Sequence, residues 1–262
     1  MNILEQLSAH ARLRVAADRS QMPLGEMSEL ARSLPARGEN PFESELKRPA
    51  LSFICEVKRA SPSKGLIAPE FPYVKIAEDY AAAGAEAISC LTEPKWFLGS
   101  DAIFREIRAA VKTPMLRKYF TVDEYQIYQA KAMGAEAVLL ICAILDAQTI
   151  ERYLGICTEL GLAALVETHD AEEIDMAIAV GARIIGVNNR NLRDFTVDFS
   201  NAARLRDRIP PSCVYVAESG VKSPEDAAAL KAIGADAALV GEALMRAENK
   251  DGFLRSLREA AK

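Results

Sequence analysis

The chain of 262 residues has only two histidines, one tryptophan and five cysteines, and each scarcity removes a class of function. His10 and His169 stand far apart, in no HxH or HxxxH spacing, so no histidine-built metal site is expected. The cysteines (Cys55, Cys90, Cys142, Cys157, Cys213) are odd in number and form no CxxC pair. Four of them fall in strand-like apolar runs and read as reduced core side chains. No block of Lys and Arg rises above a background of net charge −5, which argues against a nucleic-acid partner. The longest apolar stretch, residues 137–145, is too short to span a bilayer. The start, "MNILEQLSAHARLR", lacks a basic segment followed by an apolar run. A cytoplasmic protein with no membrane contact is expected.

What is present, from residue 50 onward, is an alternation of short β-branched runs with longer helical periods. Strands are expected at Ser52–Lys58, Ala87–Thr92, Met115–Tyr119, Ala137–Ala143, Ala163–Glu167, Ile184–Asn188, Val214–Ala217 and Ala237–Val240. A local repeat, "AGAEAISCL", "MGAEAVLLI", "VGARIIGV", "IGADAALVG", joins a helix end to a strand start, with Gly84, Gly134, Gly181 and Gly234 as left-handed caps. About 210 residues for eight such units suit an α/β fold, a closed (β/α)8 TIM barrel. A doubly wound sheet is the alternative, but no GxGxxG follows the first strand. Residues 1–49 stand outside this rhythm. Ile3, Leu4, Leu7, Ala11 and Val15 recur at helical spacing, which predicts a helix from Asn2 to Arg19. The stretch from Gln21 to Pro49, rich in Pro, Gly and charge, reads as an irregular arm. A single domain is expected, with 1–49 as an N-terminal helical extension and 50–262 as the barrel.

The stretch "ICEVKRASPSKG" breaks the pattern of a buried strand. Glu56 and Lys58 are two residues apart and so share one face. In such a barrel the carboxyl ends of the strands carry function. Those ends supply Glu56 and Lys58, then Lys118 and Phe120, Glu167, Asn188 and Arg190, Glu218 with Ser219 and Gly220, and Gly241 with Glu242. Any one of these could be a solvated terminus or a structural ion pair. Together they form a constellation, because the opposite ends ("GAEA", "GARI", "GADA") show no comparable set. The turns at Ser219-Gly220 and Gly241-Glu242, after the seventh and eighth strands, suit a phosphate, with Arg190 as its charge partner. Ser223-Pro224-Glu225-Asp226 reads as the start of the following helix. A partly buried lysine beside another lysine would serve as a cationic acid near its working pKa.

Taken in order and spacing, "ICEVKRASPSKG", "LRKYF", "LVETH", "GVNNRNL", "AESG" and "VGEALMR" closely resemble the indole-3-glycerol phosphate synthases of tryptophan biosynthesis, over essentially the whole chain. The resemblance implies ring closure of 1-(2-carboxyphenylamino)-1-deoxyribulose 5-phosphate with loss of carbon dioxide and water. It implies Lys118 as general acid and Glu167 as acid/base. Lys58 would face the substrate carboxylate, and Glu56 and Asn188 would orient groups. It places Ser61, Pro62 and Glu218 at the substrate, and Arg190, Ser219, Gly220, Gly241 and Glu242 at the phosphate. Members often have a small hydroxyl residue where Glu242 stands, so this carboxylate should point away from the phosphate. The aromatic ring needs a wall, for which Phe97 and Phe120 are placed in the pocket, ahead of Trp96. No cofactor and no metal are expected. The partner is a small phosphorylated substrate, and the chain a monomer or weak homo-oligomer. A Schiff-base aldolase or phosphosugar isomerase, or a noncatalytic phosphometabolite sensor, are the rival readings; the presence of both Lys58 and Lys118 disfavours the sensor.

Overall fold

The computed structural model describes residues 2–36, 38–191 and 195–262, so Leu192, the last residue of the "GVNNRNL" stretch, lies outside the described residues. The eight expected strands form as β1 (Ser52–Val57), β2 (Ala87–Leu91), β3 (Met115–Lys118), β4 (Ala137–Ile141), β5 (Ala163–Thr168), β6 (Ile184–Asn188), β7 (Val214–Glu218) and β8 (Ala237–Val240). Each pairs in parallel with the next, and β8 closes on β1 with Ala237 opposite Ser52. This is a closed (β/α)8 barrel. Side chains alternate across each strand. The outward set, including Phe53, Cys55 and Val57 of β1, packs under the helices. The inward set, including Ile54, Leu116, Leu139, Leu165, Val216 and Leu239, fills the barrel.

Among the described residues three helices precede the barrel: α1 (Ile3–Gln21), α2 (Leu24–Ser33) and α3 (Pro41–Leu46). Its outer layer is α4 (Tyr73–Ala82), α5 (Asp101–Ala110), α6 (Tyr125–Ala132), α7 (Ala147–Leu160), α8 (Ala171–Ala179), α9 (Ser200–Leu205) and α10 (Pro224–Ala232). A short α11 (Glu242–Arg246) follows β8 before α12 (Lys250–Ala260) completes the ring. The four repeat glycines have φ of 82°, 83°, 83° and 74°, a left-handed turn that ends each helix and feeds the next strand. The strand-start end is less empty of charge than the sequence suggests. Glu86, Glu136 and Asp236 accept from the N–H groups of Phe53, Met115 and Tyr215 at 2.8, 2.8 and 2.7 Å. Arg258 and Arg108 pair with the first two acids, at 2.7 and 2.9 Å. These carboxylates are occupied in holding neighbouring strands in register.

The stretch read as an irregular arm contains α2 and α3, a correction with a clear physical basis. Pro and Gly sit at the ends of these helices rather than inside them, and six residues are too few to show a period. Asn40 caps α3, its Oδ1 accepting from the N–H groups of Phe42 and Glu43 at 2.9 and 3.1 Å, with Pro41 at the first position. The Asn40 Nδ2 donates to the carbonyls of Glu136 and Gly161, both at 2.9 Å, which fixes α3 under the barrel. Phe42 and Leu46, both fully buried, then join the inward cluster and close its floor. At the other end α1, capped by Asn2 in a reciprocal pair with Glu5, lies over the mouth. Ala11 packs on Tyr119 and Val122, and Arg14 donates to the Thr92 carbonyl at 3.2 Å. The extension thus holds both ends of the barrel, and removing residues 1–45 would remove both contacts at once. Phe42→Ala is expected to lower stability by about 3–5 kcal/mol in urea unfolding, as for a large buried side chain. A chain lacking only α1 should keep a cooperative barrel transition. A loss below about 1 kcal/mol for Phe42→Ala would show that α3 is not part of the barrel core.

Candidate active site

The third inward position of several strands carries charge where the first two carry apolar groups. On β5 the inward series is Ala163, Leu165, Glu167; on β7 it is Val214, Val216, Glu218. Glu56, Lys118 and Asn188 follow the same alternation on β1, β3 and β6. Gly186, inward on β6, leaves the space that Glu218 occupies: a Cβ there would lie 2.2 Å from the Glu218 Oε1. All fifteen site residues expected from the sequence line one cavity of about 740 Å³ at this mouth. Lys58 pairs with Glu56. Lys118 Nζ lies 2.5 Å from the Glu218 Oε2 and 3.4 Å from the Glu167 Oε2. The Asn188 Oδ1 accepts from the Arg190 N–H at 3.0 Å, and the Arg190 guanidinium donates to the Phe195 carbonyl at 3.2 Å.

The electrostatics correct one expectation. Lys118 is not an ammonium made acidic by a second lysine. Burial alone would lower its pKa, but Glu218, Glu167 and Glu56 outweigh this and raise it. Glu167, more deeply buried still, is nonetheless held below its ordinary value by Lys118 and then His169. Glu218 goes the other way: burial, reinforced by the charge of Glu167, pushes it up to about 7 against the pull of Lys118. Two carboxylates on one lysine therefore differ, one kept ionised and one poised to hold a proton at neutral pH.

The loops complete the cavity. After β2, the buried Glu93 carboxylate accepts the N–H groups of Lys95, Trp96 and Phe97 at 3.0, 2.7 and 3.0 Å. This turn presents Phe97 to the cavity, 6.2 Å from the Phe120 ring, while Trp96 stands edge-on to His10 of α1 at 5.4 Å. Trp96 belongs to the arm contact and does not line the cavity. Ser61 pairs with Gly65 in a small hairpin after β1, whose Ala60 N–H donates to the Phe97 carbonyl at 3.2 Å. Ser219 (φ 64°) and Gly220 (φ 103°) make the turn after β7, where a Cβ on Gly220 would meet Phe199 at 2.9 Å. Ser223 caps α10 at its expected start, in a capping box with Asp226. Glu242 lines the cavity with its carboxylate drawn to Arg246 at 3.2 Å and Lys64 at 3.7 Å.

The helix expected over Asn2–Arg19 roofs the cavity with Ile3, Leu4 and Leu7 of its apolar stripe. Sequence reasoning missed Lys64, Lys222 and Arg246, which add positive charge near the phosphate turns. Their signal was weak, because exposed loop lysines are common. His169 was dismissed with the metal sites, yet its place two residues past Glu167 puts it on the same side.

A family model described as indole-3-glycerol phosphate synthase matches residues 4–257. The chain belongs to the indole-3-glycerol phosphate synthase family. It is 48% identical over 259 residues to the indole-3-glycerol phosphate synthase of Ruminiclostridium cellulolyticum, covering 99% of this chain and 100% of that one. The family protein of Leuconostoc mesenteroides is 46% identical, over 98% of both chains. Among solved structures, 3-hexulose-6-phosphate synthase from Salmonella typhimurium superposes with a TM-score of 0.66 at 12% identity, over 80% of this chain and 98% of that one. Tryptophan synthase subunit alpha from Legionella pneumophila gives 0.61 at 15%, over 86% and 99%. These two share the fold alone. The family's activity, a carboxy-lyase ring closure in tryptophan biosynthesis, is the activity of this chain. Among the described residues no helix is long and apolar enough to cross a membrane.

The charge pattern has a consequence for stability. A carboxyl raised from 4.5 to about 7 by folding contributes stability below its unfolded value and loses it as pH rises through about 7. The stability of the wild type relative to Glu218→Gln should therefore fall by roughly 2 kcal/mol between about pH 5.5 and about pH 8. Urea unfolding of both proteins at the two pH values reads it; a difference that is flat or grows with pH contradicts the raised pKa.

Proposed function

We propose that the cavity binds 1-(2-carboxyphenylamino)-1-deoxyribulose 5-phosphate with its phosphate at the turns after β7 and β8 and its aromatic ring against Phe97 and Phe120. The observation that carries this reading is the Lys118 ammonium, held between Glu167 and Glu218 at the base of a cavity with an aromatic wall and a positive rim. Arg190, with the backbone N–H groups of Ser219, Gly220 and Gly241, receives the phosphate. Glu242 leaves it unopposed because Lys64 and Arg246 take its charge. Ser61 and Pro62, on the hairpin after β1, close over the bound sugar. We further propose that 1–49 and the barrel act as one domain, which the α1 and α3 contacts at the two barrel ends support.

In the reaction, a ring carbon attacks the ketose carbonyl and its oxygen becomes an alkoxide. That oxygen is far more basic than any amine, so an ammonium with a raised pKa still protonates it, and the same raised pKa keeps Lys118 charged beforehand. Attack leaves an iminium within the substrate. This iminium accepts the electron pair released as the carboxylate departs as carbon dioxide, so the substrate supplies its own electron sink. Lys58, paired with Glu56, faces that carboxylate and then protonates the departing hydroxyl. Glu167 takes up the last proton as the indole forms, and Asn188 orients its carboxylate. Schiff-base chemistry at Lys118 would need a neutral amine, which two carboxylates oppose.

Lys118→Ala is expected to lower kcat by at least about 10²-fold, the range of a positioned general acid, with a far smaller change in KM. Fluorescence of the indole product formed from the ribulose phosphate measures both. A kcat near that of the wild type would move the acid role to Lys58.

A further inference from the structure

His169 follows Glu167 by two residues and points the same way, yet it faces a different space. Glu167 lines the substrate cavity and His169 does not. His169 instead lines a second cavity of about 590 Å³, together with Asp170 and Glu173. Its orientation is fixed. The Glu173 Oε2 accepts from the His169 backbone N–H at 2.8 Å and lies 3.1 Å from its Nδ1. Glu173 is held in turn by its own N–H on the Asp170 cap at 2.9 Å. A carboxylate only accepts, so Nδ1 carries the hydrogen in the neutral ring. The buried Nε2 is left 3.5 Å from the Glu167 Oε1 without a hydrogen bond. In a neutral ring this sets a lone pair against a carboxylate oxygen, and a single proton placed between them resolves the conflict.

We infer that His169 is a positioning residue that stores, at Nε2, the proton Glu167 collects and releases it to solvent through the second cavity. The inference rests on the reading of Glu167 as the base. The proton taken from substrate onto Glu167 passes from Oε1 to Nε2, which restores the carboxylate. Nδ1 keeps its own hydrogen on Glu173 throughout. Nε2 itself is covered, so the proton leaves it for a water that enters from the second cavity, which the 18%-exposed side chain lines. The surroundings favour the cationic intermediate. Glu167 on β5, Glu173 on α8 and Glu218 on β7 act on the ring, and Asp170, the cap of α8, lines the same cavity. Asn188 and Arg190 from β6 line both cavities, and Arg204 of α9 lines the second. Burial lowers the imidazole pKa, but the Glu173 hydrogen bond and the charges of Glu167, Glu173 and Glu218 raise it above its ordinary value.

With two histidines in the chain, ring resonances are assigned by one substitution, His10→Gln. His169 is expected to titrate above about 6.5 by NMR and to fall by about one unit in Glu167→Gln, which removes the facing charge. In His169→Gln an N–H can still face Glu167 but cannot take up a proton. Loss of the cation raises the Glu167 pKa, so the acid limb of kcat/KM should move up by about one unit with KM little changed. A His169 midpoint that ignores Glu167→Gln, or a His169→Gln profile identical to wild type, in an enzyme that turns over substrate, would overturn the inference alone. Absence of turnover by the wild type would overturn the active-site reading and the inference with it.

Discussion

The mouth of this barrel is organised around one ammonium group taken out of water. Lys118 is charged because two acids lie within 2.5 and 3.4 Å of it, and those acids are tolerable in a buried layer because the lysine is there. Burying either sign alone would cost several kcal/mol. The surrounding structure serves this balance. Gly186 opens the space for Glu218, the Lys58–Glu56 pair stands on the neighbouring wall, and Glu218 takes up whatever proton the balance requires. Lys118, Glu167 and Glu218 are placed by strands and the alternation of a closed sheet, the most rigid positions the fold offers.

The extension makes sense against this layer. The charged mouth cannot be packed shut without burying its ions, so the barrel needs apolar closure elsewhere. Phe42 and Leu46 supply it at the floor, and α1 provides a roof that leaves the cavity between itself and the ions. One N-terminal segment thus reaches both ends of the barrel.

Much of this was legible in the sequence because strand alternation is a strict rule. Glu56 and Lys58, two apart in an apolar run, can only face one side, and reading each strand to its carboxyl end located Lys118, Glu167 and Glu218. The Gly-Ala repeats marked the helix ends for the same reason: a left-handed residue has few candidates. What escaped was set by tertiary contacts. The α3 helix spans six residues, too few for a hydrophobic period, and its role depends on Asn40 reaching carbonyls about a hundred positions away. The sign of the Lys118 shift escaped too, because sequence alone did not say which charges sat beside it. Pairing it with Lys58 gave the wrong direction; the nearest groups are carboxylates. Glu86, Glu136 and Asp236 were invisible as strand-start caps because their partners are N–H groups, which every residue but proline has.

The most direct test of the account is the protonation of the Lys118 side chain itself, followed by nitrogen-detected NMR of labelled lysine in the unliganded enzyme. If the carboxylates of Glu167 and Glu218 outweigh burial, its ammonium persists beyond the ordinary lysine midpoint of about 10.4, after the exposed lysines have titrated. A Lys118 that loses its proton before them would contradict the account, for burial would then dominate and the charged layer would not be held together by this ion.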